Sequence, residues 1–293
     1  MDGTKELEPS PRVHRTIWWK EALIVTAFYG VYTLVRNVFG SALVSGSQIP
    51  VEAFVNAMRV IRIERALGLY HEETIQDWFL PHTNVVKFFN VYYGTAHFFV
   101  TLAVFVALFI LRPDKFALWR NCLAAMTALA IVGFAFFPLM PPRLLDAACP
   151  PVSYGAACIE HELRNYNGAE NFGYSDTIKE FGGPWAFDRG PGKTLSNQYA
   201  AMPSLHIGWA TWCVLAMFPL AKRRWVRIAL PIYPLLTLAC IVITGNHFWI
   251  DGVGGIAVFA AGYWIGARIH RWNERRLLAR HAAAAGHHEP RQG

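Results

Sequence analysis

Two stretches decide how this chain folds: Ala201-Met202-Pro203-Ser204-Leu205-His206 and Gly245-Asn246-His247-Phe248-Trp249-Ile250-Asp251. In each, a histidine stands at the start of a membrane-length apolar segment. If the two segments pack side by side, both imidazoles reach one membrane face, and the polar centre of the protein lies there.

The composition around them is that of a membrane protein. Of 293 residues, 54% are hydrophobic and 16% are charged, against about 25% charged in a soluble domain. The formal charge of +7 raises nucleic acid as a partner. The lysines and arginines, however, sit in short segments between apolar runs, where the positive-inside rule puts them. The basicity is therefore a topology signal, and no nucleic acid is expected.

Hydropathy predicts an all-α fold of six transmembrane helices, with an amphipathic interfacial segment and a long extracytoplasmic loop. Residues 1–16 read as a flexible tail. Ile17 to Phe39 is the first span, entered through Trp18-Trp19-Lys20; a cleaved signal peptide competes with this, but the length and the internal Arg36-Asn37 favour a retained helix. Residues 48–82 interleave Val55, Met58, Ile61 and Leu67 with Arg59, Arg62, Glu64 and Arg65, as one or two helices lying at the interface do. Val85–Leu111 and Phe116–Leu139 are the second and third spans, joined by a basic turn at Arg112-Pro113-Asp114-Lys115; Pro138 ends the third, and Met140-Pro141-Pro142-Arg143 leads out of it. The polar stretch from Leu144 to Ala200 is too long for a spacer and reads as functional. Met202–Leu220, Trp225–Thr244 and Phe248–Ile269 complete the set. Residues 17–270 then form one membrane domain, and 271–293 a basic, flexible C-terminal tail.

Six spans put both termini on one side. Of the 27 lysines and arginines, 17 fall in the N-terminal tail through Lys20, in 112–120, in 222–227 and from Arg268 onward. That side is expected to be cytoplasmic, with the long loop, His206 and His247 opposite, and the plasma membrane as location. Cys149 and Cys158 lie in the outer loop, where a disulfide is one of two readings, the other being two free thiols.

Four residues separate His247 from Asp251, which on a helix brings the carboxylate to one ring nitrogen. That fixes the tautomer and leaves the other nitrogen to attack phosphorus, while a second histidine, His206, protonates the leaving oxygen. Pro203 suits a first helical position, and the amides of a starting helix seat phosphate oxygens, with the Ser204 hydroxyl adding a donor. Either histidine alone is equally at home as a packing partner. Two histidines and an aspartate on one predicted face make a site.

These residues carry a resemblance. The two stretches, 41 residues apart from histidine to histidine, resemble the second and third motifs of the type 2 phosphatidic acid phosphatase superfamily, six-helix membrane lipid phosphatases and phosphotransferases. The wording Ala-Met-Pro-Ser-Leu-His is similar to the branch containing inositol phosphorylceramide synthase. The resemblance covers roughly residues 55–268. It implies His247 as a nucleophile forming a phosphohistidine, Asp251 as its orienting partner and His206 as the acid/base. It also departs from the common pattern: Phe136 stands where the first motif has lysine, Arg143 follows Pro141-Pro142, and Cys240-Ile241 replaces a Ser-Arg pair. Phosphate binding then falls to Arg143 and Ser204, with Arg189 and Lys193 as loop candidates. Fewer cations favour a phosphodiester, with about one negative charge, over a monoester with nearly two.

Tyr92, Tyr93 and His97 are spaced to line a cleft, although aromatic packing explains them as well. His281, His287 and His288 lack any carboxylate or cysteine pattern, so no metal is expected, and no cofactor motif is present. The expected partners are a lipid-linked phosphate donor, an alcohol or water acceptor and the membrane lipids. The reading is a lipid phosphotransferase. Its alternatives are a phosphatase of a lipid phosphate or polyprenyl (di)phosphate with water as acceptor, and a non-catalytic scaffold or transporter.

Overall fold

The computed structural model describes residues 51–145, 172–182 and 199–286, with six further helical positions between Trp19 and Gly30. The described residues are helical, with no strand beyond an isolated bridge between Leu139 and Ala200. The helices are α1 (Val51–Ala66), α2 (Glu72–Phe79), α3 (Thr83–Leu111), α4 (Pro113–Phe136), α5 (Thr177–Phe181), α6 (Leu205–Met217), α7 (Arg224–Ala229), α8 (Ile232–Ile243) and α9 (Trp249–Gly286).

Four stretches are long and apolar enough to cross a membrane: α3, α4, α7 with α8 (Arg224–Ile243), and Trp249–Arg280 of α9. Leu205–Leu220 is a shorter apolar helix. Most of the first predicted span lies outside the described residues, but the helical Glu21 forms an ion pair with Arg120 of α4. The 225–244 stretch, expected as one span, breaks at Leu230-Pro231, because proline has no N–H to continue the helical ladder. Residues 48–82 yield two helices. The apolar side of α1, with Ala53, Phe54, Ala57 and Ile61, is covered by Leu139, Met140, Leu145, Tyr174 and Phe248. Beyond Ile269, where the apolar pattern stops, α9 runs on to Gly286, through a sequence rich in arginine, leucine and alanine, all strong helix formers.

Three close approaches bring the helices together. Gly262 and Gly266 of α9 lie against the backbone of Met126 and Cys122 in α4, a small-xxx-small contact that lets two membrane helices meet without intervening side chains. Gly255 abuts the Ser204 carbonyl, so the start of α6 lies directly on α9. Trp212 of α6 is fully buried and donates its indole N–H to the Trp119 carbonyl (2.9 Å).

The described part of the long loop is bound to the same end of the bundle. Gln76 and Ser175 exchange two hydrogen bonds (2.8 and 3.1 Å). Asn90 donates to the carbonyls of Thr177 (2.8 Å) and Gly182 (2.9 Å). Gln76 and Asn90 are both buried, where each such bond avoids the cost of an unsatisfied polar group. Cys149 and Cys158 lie outside the described residues.

Candidate active site

The site forms where α8 ends and α9 begins. Gly245 turns the chain with φ of +63°, a left-handed conformation natural to glycine. A side chain there would press on Gln76 and on Arg143. His247 follows, buried, before α9 starts at Trp249. Its Nδ1 lies 3.2 Å from Asp251 Oδ2, and the same oxygen accepts the Phe248 amide (3.1 Å). Asp251 is fully buried. The carboxylate therefore fixes the ring with Nδ1 as donor, leaving Nε2 as the nitrogen with a lone pair.

His206 stands in the first turn of α6, its ring centroid 5.4 Å from that of His247. One face stacks on Tyr93 (4.4 Å), and His97 approaches edge-on at the same distance. His97 is itself held by its Nδ1 on the Tyr93 carbonyl (2.9 Å). Tyr93 and His97 thus line the site. Tyr92 turns away, bonded to Thr237 (3.0 Å) among apolar neighbours.

Arg143 is brought beside His247. Its Nε donates to Asn246 Oδ1 and its Nη1 to Asp176 Oδ2, both at 2.9 Å, and its backbone N–H to the Gly245 carbonyl (2.8 Å). Asn246 is held in turn by the Thr244 hydroxyl (2.9 Å). Ser204 caps α6 with its hydroxyl fully buried and without a hydrogen-bond partner among the described residues, while its backbone N–H donates to the Asp251 carbonyl (2.9 Å). Pro203 precedes this cap instead of occupying the first helical position, because the extended backbone of Ser204 (ψ of 108°) delays the helix to Leu205. Asn246 and Asp176 are site residues that sequence reasoning missed. Asn246 was signalled only by its place before His247, and Asp176 by nothing in its polar surroundings.

The positions that depart from the family pattern are apolar in fact. Phe136 points outward, 81% exposed, and Cys240 and Ile241 are buried in hydrophobic packing. Arg189, Lys193, His287 and His288 lie outside the described residues, as does the side chain of His281.

Burial pulls the His247 imidazole down to about 4 from its ordinary 6.5, with the Arg143 charge acting in the same direction and the Ala201 carbonyl opposing. The ring is therefore neutral throughout the physiological range. If neutral His247 does the chemistry, lowering the pH protonates it only near 4. The acid limb of kcat/KM, which reports the free enzyme, is expected there. A titration of kcat/KM between pH 3.5 and 7 checks this, and an acid limb near 6.5 would contradict it.

Fold and cluster together define an all-α membrane protein with a buried His-Asp pair, a second histidine and an arginine gathered at one end of its helices. A family model described as the PAP2 superfamily matches residues 58–265, and the chain belongs to that superfamily, which makes it a phosphatase-type phosphoester enzyme. No curated protein and no solved structure matches it.

Proposed function

We propose that the protein is an integral membrane phosphotransferase that acts on a lipid-linked phosphodiester through a phosphohistidine at His247. The observation that carries this is the Nδ1 contact of His247 with Asp251 at 3.2 Å, with the His206 ring 5.4 Å away. Nε2 attacks phosphorus and the bond to the leaving oxygen breaks. That oxygen takes a proton from His206, held by Tyr93 and His97. The acceptor alcohol then gives its proton to His206 and attacks the phosphohistidine, which restores neutral His247. On a glycerophospholipid, the head-group phosphate passes to the acceptor and the diacylglycerol leaves. Arg143 and the Ser204 hydroxyl bind the phosphate oxygens.

Phe136 and Ile241 favour the diester. The side chains at positions where the common phosphatase pattern carries cations are apolar, and a dianionic monoester demands more positive charge than a monoanionic diester. The branch resembling inositol phosphorylceramide synthase fits this reading. The distribution of lysine and arginine supports an extracytoplasmic site, with both termini cytoplasmic and the plasma membrane as location.

The test is turnover by protein purified in detergent. Phosphatidylinositol, phosphatidic acid and a polyprenyl phosphate are each offered with and without a lipid alcohol. The expected result is a new phosphorylated lipid from phosphatidylinositol, formed only when the alcohol is present. Free phosphate released from phosphatidic acid without alcohol would replace the transferase with a phosphatase using water.

A further inference from the structure

We infer that Glu64 and Glu72 are positioning residues for the His247–Asp251 pair, their two carboxyls sharing one proton and together holding the first turn of α9. The inference rests on the proposed role of His247. Neither glutamate takes part in the chemistry above, yet both are fully buried, one in the last turn of α1 and the other at the start of α2.

Three successive amides at the start of α9 end on three different carboxyls. The Phe248 N–H donates to Asp251 Oδ2 (3.1 Å), that of Trp249 to Glu72 Oε1 (3.3 Å) and that of Ile250 to Glu64 Oε1 (3.3 Å). The other oxygen of Glu72 accepts the His71 amide (3.0 Å). The starting helix favours negative charge at this point, and the nucleophile lies one residue before it.

Glu64 Oε2 is buried with no donor among the described residues, and the Glu72 carboxyl lies within hydrogen-bonding reach of the Glu64 side chain. From α9 the Asp251 carboxyl also faces Glu64, with His247 beyond it. On its own helix the neighbouring Arg65 is turned to the Tyr70 ring, 4.9 Å from its centroid. Two carboxylates buried side by side cannot both stay ionised, so one proton between them resolves both the repulsion and the missing donor. Burial, then the hydrogen bond and charge of Glu72, push the Glu64 carboxyl up to about 10. The proton therefore stays in place at neutral pH, and the pair presents one negative charge to the α9 amides.

The decisive variants are Glu64→Gln and Glu64→Ala, assayed for kcat and KM from pH 6 to 10.5 beside His247→Ala. Glutamine keeps the acceptor for Ile250 and supplies an N–H to Glu72 in place of the proton. At pH 7 Glu64→Gln is expected to retain at least roughly a third of wild-type kcat. Glu64→Ala is expected to lose about 30-fold in kcat with KM within about twofold, since a nucleophile misplaced by about 1 Å costs up to 10²-fold. Wild-type kcat falls at the alkaline end of that range as the shared proton leaves, and Glu64→Gln lacks that fall. A Glu64→Gln profile that superimposes on the wild type, or a kcat as low as that of Glu64→Ala, overturns the inference. If Glu64→Ala does not fold, the Glu64→Gln profile decides alone. An active His247→Ala would remove the proposed role of His247 itself, whereas an inactive one beside a failed Glu64→Gln removes only the shared proton.

Discussion

His247→Ala is expected to lower turnover by about 10⁴-fold or more while leaving the protein folded, because on the proposed mechanism the variant removes the atom that bonds to phosphorus. His247 occupies the turn between α8 and α9 and belongs to no helical ladder, so truncation opens a small polar cavity without cutting a helix. Its loss leaves Asp251 Oδ2 with the Phe248 amide. On the proposed mechanism Arg143 and Ser204 still bind phosphate, so KM is expected to move far less than kcat. Two readouts check this. The first is steady-state turnover at saturating substrate. The second is trapping of labelled phosphate or head-group phosphate on the wild-type protein, acid-labile as a phosphoramidate is, and absent from the variant. Residual turnover within tenfold of wild type would end the role of His247 as nucleophile.

Gly262→Leu is expected to lower the unfolding midpoint in detergent by about 10 °C. A Cβ at Gly262 meets the N, Cα and Cβ atoms of Met126, each at 2.7 Å. These are backbone or backbone-attached atoms that cannot rotate away, so α4 and α9 must part. The separation loosens the cluster of Cys122, Met126, Trp212 and Phe259 around that contact. Overpacking of this kind costs about 3 kcal/mol, and a chain of this size shifts by about 2–4 °C per kcal/mol. Ala261→Leu, one residue earlier on an exposed face, serves as the control and should shift the midpoint by less than about 2 °C. Equal midpoints for the two variants would mean that the glycine contact contributes nothing to stability.

The apolar helices were legible because a lipid environment forces each spanning segment to be long, apolar and internally bonded, which leaves a plain mark in the sequence. His206, His247 and Asp251 were legible for a related reason: ionisable groups at such places are costly and therefore few. Glu64 was not, since its alternation with apolar neighbours matches a solvated helix face, and only tertiary structure reveals that Glu72 and the start of α9 cover it. The partners of Arg143 were equally hidden, because Asp176 lies 33 residues away in a loop without periodicity. The interruption at Leu230-Pro231 was hidden in a different way: hydropathy continues smoothly across it, and Arg224–Ile243 remains one stretch long and apolar enough to cross a membrane.

The length of α9 gives its glycine contact a mechanical meaning. Its 38 residues form a rod of about 57 Å, well beyond the ~30 Å of a bilayer core, with the reactive pair at one tip and Arg268, Arg271, Arg275, Arg276 and Arg280 toward the other. Gly262 and Gly266 act as its fulcrum on α4. Asp251 lies 11 residues from Gly262, about 16 Å along the axis. A tilt of about 5° about that fulcrum therefore moves the carboxylate by about 1.4 Å, enough to cost roughly 10²-fold in rate. On the proposed mechanism, the arginine-bearing arm is then a lever on the His247–Asp251 pair.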